Sequence, residues 1–257
     1  MIARTVAILL SLIFLPLPLM PAAGQAAERL ALATLDWPPY TSPALPDQGM
    51  TSKILADIAR AAGHDLTISF FPWIQAIRAG QSDPSYIGYF PAYWTAERAA
   101  SCNFSRPVGI GRLGLVQRRD RPVSWTNMTD LAGGPIGVVA GYSNGAEFDA
   151  LIQAGILQVQ VSSTDLDNLR MVGHGRIPAA VIDQSVLAYF LATDSSLRKM
   201  RAELDFNPRP IAAMAVYICF KKTDEGAHWK EIFDRGLERV NLMAEQQHYL
   251  QLLDQSP

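Results

Sequence analysis

Short apolar runs alternate with segments of helical period along most of this chain, a rhythm that calls for an α/β fold with largely parallel sheets. Residues 30–35 make the first strand-length run, which stops at Trp37-Pro38-Pro39-Tyr40 because two prolines forbid continuation. Ile54, Leu55, Ile58, Ala61 and Ala62 then share one helical face, ended by Gly63. Further strands are expected over residues 66–71, 86–90, 114–117, 135–140, 179–182 and 213–220. Helices are expected over residues 73–79 and 95–100, from near Asn144, Asp165 and Gln184, and along the stripe Ile232, Phe233, Leu237 and Val240.

The rhythm restarts after the polar stretch 118–127, while the last strand and helix find no partner within that second unit. A two-lobe chain whose second lobe is inserted into the first meets both facts, with two hinge segments near residues 113 and 213. The expected division is residues 27–113 with 214–257 for one lobe and residues 114–213 for the other.

At the amino terminus, Arg4 precedes an apolar run over residues 6–20 and then the small residues around Gly24-Gln25-Ala26, the order of a cleaved secretory signal. The run is broken by Pro16 and Pro18 and falls short of the roughly 20 residues that cross a bilayer as a helix. Residues 1–26 are therefore expected to be a signal peptide lost on export to the periplasm, leaving 231 of 257 residues, enough for two modest lobes. No cysteine precedes Cys102, which argues against a lipoprotein anchor on a processed terminal cysteine. Export also puts Cys102 and Cys219, 117 residues apart, where thiols can pair; a disulfide and two buried thiols are both open readings.

With 22 basic and 24 acidic residues the formal charge is −2, and no polyanion is called for as partner. Arg118-Arg119-Asp120-Arg121 is interrupted by an acid and stands alone, so it reads as a solvated loop and not a nucleic-acid patch. No cofactor and no metal is expected.

Gly141-Tyr142-Ser143-Asn144-Gly145 fits the G-x-S-x-G pattern of a hydrolase nucleophile, since it follows a strand-like run and opens a helix-like one. Catalysis needs a general base, an acid behind it and oxyanion donors. In the order Ser, Asp, His, Asp183 could follow Ser143 and His228 or His248 could close a triad, but both lie in a charged helix-forming segment and not on a loop beyond a strand, while His64 and His174 sit beside helix-ending glycines. The alternative is an anion site, where the hydroxyl and free N–H groups at a helix start meet a carboxylate. In a plainer reading Ser143 or Asn144 caps the helix, with Glu147 completing a capping box from Asn144.

Five segments, LATLDWPPYT, GYFPAYWTAERA, FSRPVG, NMTDLAGGPIGVVAGYSNGAEF and GRIPAAVID, occur in the order found in one family. By them the chain resembles the periplasmic amino-acid-binding proteins of ABC importers, solute-binding protein family 3, over nearly its whole length after the leader. The resemblance implies a non-enzymatic, monomeric protein that captures a small polar, amino-acid-like ligand between two lobes and hands it to a membrane permease. It implies that Arg98, in the T-x-x-R segment behind Thr95, grips the ligand carboxylate, since a planar guanidinium donates paired hydrogen bonds. It places Ser143 as a hydroxyl donor from the opposite wall and Asp183 as acceptor for an ammonium, although Asp183 also stands where a cap for the next helix belongs. Trp37, Tyr40, Tyr93, Trp94 and Tyr142 fall at the cleft turns, with Trp37, Tyr93 and Tyr142 counted among the ligand-binding residues. The chain departs from the family at Tyr93, where a small hydroxyl residue is common, and at Pro178, which replaces the acid of the GRID strand. An enzyme on the same fold, a lyase or a serine hydrolase using Ser143, and a ligand-sensing module are the alternatives.

Overall fold

A computed structural model describes residues 30–254, so the signal peptide expected over residues 1–26 lies outside the described residues. The first half of the fold is built from β1 (Leu30–Thr34), α1 (Met50–Ala61), β2 (Leu66–Phe70), α2 (Trp73–Ser82) and β3 (Gly88–Tyr93). β1 pairs in parallel with both β2 and β3, which requires crossovers of the length that α1 and α2 supply. α3 (Ala96–Ser101), β4 (Cys102–Phe104) and β5 (Gly109–Arg118) follow. The second half runs β6 (Ile136–Val139), α4 (Ala146–Gln153), β7 (Val159–Ser162), α5 (Asp165–Gly173), β8 (Ala179–Asp183) and α6 (Gln184–Thr193). β9 (Leu204–Phe206), β10 (Ala212–Lys221), α7 (Asp224–Leu237) and α8 (Leu242–Asp254) close the chain.

All main strands join in the order β2-β1-β3-β10-β5-β8-β6-β7, with β4 on β10 and β9 on β5. Pairing is parallel toward each outer end and antiparallel at the centre, where β10 lies between β3 and β5 and β5 between β10 and β8. The two long central strands pair Leu113 with Ala212 and Gly109 with Val216, so they carry the chain between the halves. β3, β6 and β8 are buried at every position because their sheet faces are covered on both sides. The observed architecture is the α/β type expected from the alternation, but the expected largely parallel pairing holds only toward the outer ends, because β5 and β10 run antiparallel to every strand they pair with.

Several boundaries differ from expectation for identifiable reasons. β3 runs on through Pro91 to Tyr93, and its register against β10 shifts between Tyr217 and Cys219, where Phe90 and Pro91 stand. Proline has no N–H for the ladder, and the irregularity accommodates it. β5 begins five residues before the expected start at Gly114, because GIGRLG has no apolar run to mark it. β4, β7 and β9 are three or four residues long and were not foreseen; each adds to a strand already present and needs little apolar signal of its own.

Cys102 and Cys219 form a disulfide with their Cα atoms 5.2 Å apart, which ties β4 to β10. Arg118 pairs with Asp120 and Glu203, and Arg119 with Asp205, so the basic cluster is largely neutralised by neighbouring acids.

Candidate functional site

After β1 the chain folds back on itself: Trp37 N donates to Thr41 O at 2.6 Å and Tyr40 N to Trp37 O at 3.0 Å. With two prolines between them, this tight turn stacks the Trp37 and Tyr40 rings at 4.3 Å and 19°. Trp37 meets Tyr93, at the end of β3, edge-on at 6.2 Å and Tyr142, after β6, at 6.5 Å. The expected aromatics Trp37, Tyr93 and Tyr142 are thus brought together, with both halves of the sheet contributing. Trp94 instead stands 54 % exposed at the rim.

Thr95 caps α3 by accepting from the Arg98 N–H at 3.1 Å, which fixes where the Arg98 side chain leaves the helix. The guanidinium donates through Nη1 to Tyr93 O at 2.8 Å and through Nη2 to Gly141 O at 2.9 Å, and lies 5.6 Å from the Trp73 ring. Trp73 Nε1 donates to the same Gly141 carbonyl at 2.9 Å. Gly141 holds φ +76°, and a Cβ there would lie 3.2 Å from Ile74 and 3.3 Å from Trp73, so only glycine presents that carbonyl without strain. Among the described residues no carboxylate forms an ion pair with Arg98. Burial lowers its pKa from the ordinary arginine value, and three of its five N–H donors remain uncommitted to protein partners.

Ser143 does not present the free hydroxyl that an anion site needs. Its Oγ donates to Asp149 Oδ2 at 2.7 Å, and Asn144 donates to the same carboxylate through its backbone N at 3.0 Å and its Nδ2 at 3.1 Å. Asp149, one turn into α4, reaches back and takes the place of an external carboxylate. The expected capping box of Asn144 with Glu147 is corrected by the same contacts: Gly145 is the cap residue, and Asn144 is held by Asp149. Three converging donors outcompete the single bond that Glu147 would return.

Asp183 ends β8 and does cap α6, its Oδ1 accepting from Ser185 N at 2.8 Å and Val186 N at 3.2 Å. The same oxygen accepts from Tyr40 Oη at 3.0 Å, a contact between the two halves. Its Oδ2 is buried without a partner, as are Tyr93 Oη and Trp37 Nε1. A Cβ on Gly111 of β5 would lie 2.6 Å from Tyr93 Oη and 2.7 Å from Asp183 Oδ2, so the missing side chain lets those two groups approach. Asp165, the first residue of α5, joins them: it is 5 % exposed and accepts from Tyr142 Oη at 3.4 Å. Burial first, and then the charge of Asp183, push the Asp165 carboxyl up to about 7. Burial pushes Asp183 to about 6 against the pull of its helix N–H donors. Tyr40, Tyr93 and Tyr142 are raised well above 10 by burial and then by these carboxylates.

Arg98, Tyr142, Ser143, Trp37 and Tyr93 line a small, partly open pocket of about 20 Å³, room for about one water. Arg98, Tyr142 and Ser143 also border an outer groove of about 850 Å³ that opens past Trp94, Asp149 and Tyr217. The halves are therefore closed on one another, with aromatic rings filling the space between the guanidinium and the two acids.

No protein-family model and no curated protein matches the chain. Solved structures do match over most of its length. One is a histidine kinase sensor domain described as similar to periplasmic binding proteins, at TM-score 0.72 and 20 % identity, covering 87 % of this chain and 94 % of that one. A second is the substrate-binding protein of an amino-acid ABC transporter from Streptococcus pneumoniae bound to L-arginine, at TM-score 0.71 and 16 % identity, covering 87 % and 93 %. A third is an ancestral arginine-binding protein bound to arginine, at TM-score 0.69 and 18 % identity, covering 87 % and 96 %. The chain has the periplasmic-binding-protein fold. Within that fold the facing surfaces of the two halves carry the residues described above. Trp73, Asp149 and Asp165 were not foreseen: Trp73 and Asp165 read as ordinary helix-start residues, and Asp149 as one acid among several.

Proposed function

We propose that this chain is an extracytoplasmic solute-binding protein whose two lobes, residues 27–113 with 214–257 and residues 114–213, close over a small amino-acid-like ligand. β5 and β10 are the hinge segments of that reading. The ligand carboxylate meets Arg98 and its ammonium meets Asp183, with Trp37, Tyr93 and Tyr142 forming the walls. Ser143 donates to the ligand only after Asp149 releases it. Delivery is to the permease of an ABC importer, and the protein acts in the periplasm as a monomer after loss of residues 1–26. No described helix is long and apolar enough to cross a membrane.

One observation carries the reading: a half-buried guanidinium, oriented by carbonyls of both halves, has no carboxylate partner among the described residues, and the buried Asp165 and Asp183 have no cation partner among them. Such a polarised cleft matches a zwitterion, and charged groups that are withdrawn from water need compensation. Closure is then stabilised by contacts a ligand makes to both lobes at once. Calorimetry with Arg98→Ala tests it: affinity for a carboxylate-bearing ligand should fall by at least about tenfold, and unchanged affinity would refute the assignment.

The likeness to a kinase sensor domain favours a second reading, in which the same clamp reports a ligand to a membrane receptor. Uptake of labelled ligand by cells lacking this chain separates the two. Import is lost in the first reading and retained in the second.

A further inference from the structure

Asp165 has no structural duty that accounts for its carboxylate. α5 is already capped by Thr164, whose Oγ1 accepts from Asp167 N at 3.2 Å, and Asp165 stands one residue inside that cap. Its one side-chain hydrogen bond, from Tyr142 Oη, is long at 3.4 Å. The Trp37 indole N–H lies beside it, helping the anion, yet has no partner in hydrogen-bonding geometry. The charged group it feels is Asp183, of like sign, and no cation pairs with either acid among the described residues. Buried carboxylates are ordinarily paired with a cation or coordinate one. Around these two stand three buried polar atoms with no partner, Trp37 Nε1, Tyr93 Oη and Asp183 Oδ2, together with the stacked rings of Trp37 and Tyr40, surfaces that favour a cation.

Resting on the reading of the cleft as a ligand clamp, we infer that Asp165 is a second ligand-binding carboxylate. With Asp183 it receives two cationic groups, so the cleft selects a basic amino acid. With both acids ionised, the charges balance only for that class. Arg98 takes one carboxylate, and each buried acid takes one ammonium or guanidinium group. A neutral amino acid leaves Asp165 to stay protonated or go uncompensated, and an acidic one adds a repelled carboxylate. The pocket of about 20 Å³ requires the halves to part before such a ligand enters, breaking Tyr40 to Asp183 and Arg98 and Trp73 to Gly141. The titratable groups facing Asp165 are Asp183, Tyr142 and Tyr93; burial keeps both tyrosines protonated, so ligand charge is balanced by the acids alone.

The test is titration calorimetry of the purified protein with L-lysine, L-arginine, L-glutamine and L-glutamate. At least one basic amino acid should bind about a hundredfold more tightly than glutamine, and Asp165→Asn should weaken that ligand by about thirtyfold or more while leaving glutamine binding no weaker. Repeating the titration near pH 7 in buffers of different ionisation enthalpy should show protons released on binding, because the arriving cation favours ionised Asp165. Thermal melting confirms that the variant is folded. If glutamine or glutamate binds as tightly as the basic amino acids, or if Asp165→Asn leaves the basic ligand's affinity unchanged while Arg98→Ala abolishes it, the inference is overturned and the clamp stands. If none of the four binds, or binding survives Arg98→Ala, the clamp reading falls as well.

Discussion

Replacing Asp165 by asparagine, which is nearly the same shape and never charged, should change how the ligand-free protein's stability depends on pH. Burial raises the Asp165 carboxyl from 3.8 to about 7 in the folded chain. That happens even though the residue sits in the first turn of α5, where the helix dipole favours an anion. The folded state therefore holds a proton that the unfolded chain releases at lower pH, and the stability due to it is complete below the unfolded value and lost as pH rises through the folded one. Three pH units at about 1.4 kcal/mol each give roughly 4 kcal/mol lost between about pH 4 and pH 7. Asp183, raised to about 6, has the same sign and remains in the variant. Asp165→Asn should match the parent near pH 4 and exceed it at pH 8 by roughly 4 kcal/mol, a melting difference on the order of 10 °C for a domain of this size. Urea unfolding at fixed ionic strength across that range measures it. Identical pH profiles, or a variant less stable at pH 8, would show that Asp165 is solvated or paired and would remove the electrostatic basis of the argument.

Loss of the disulfide in Cys102→Ser with Cys219→Ser frees a loop of 117 residues, and the chain-entropy model puts the cost at about 4 to 5 kcal/mol; a loss below about 1 kcal/mol in urea titrations would contradict it. Gly141→Ala forces a side chain onto φ +76° against Trp73 and Ile74, and should lower stability by about 1 to 3 kcal/mol, whereas an unchanged melting temperature would mean that the two halves do not meet there. Asp149→Ala leaves three donors of Ser143 and Asn144 without their acceptor, and a loss of about 1 to 3 kcal/mol is expected in the same assay.

Much of the arrangement where the two halves meet is legible in the amino-acid sequence. Tyr93, Tyr142 and Trp37 stand at strand ends and turns, the positions from which an α/β sheet presents side chains to a shared crevice. Arg98 follows a threonine with the spacing of a capped helix, which the structure forms. Asp183 did not resolve into one role: it caps α6 and also meets Tyr40 across the cleft. Ser143 looks free in the sequence because the acid that holds its hydroxyl lies six residues on, within an otherwise ordinary helix. Nothing in the sequence sets Asp165 apart, because acids at helix starts are common on solvated surfaces, and burial is what distinguishes this one.

The amino-acid sequence by itself determined the alternation of strands and helices and the break into two units, since apolar periodicity, prolines and caps act over a few residues. Tertiary structure alone decided which groups meet. Tyr40 reaches Asp183 across 143 residues, Trp73 reaches Gly141 across 68, and Cys102 finds Cys219 across 117. Such contacts depend on where the central strands β5 and β10 place the two halves, and the charge of Asp165 acquires its meaning only once that placement has taken the carboxyl out of water.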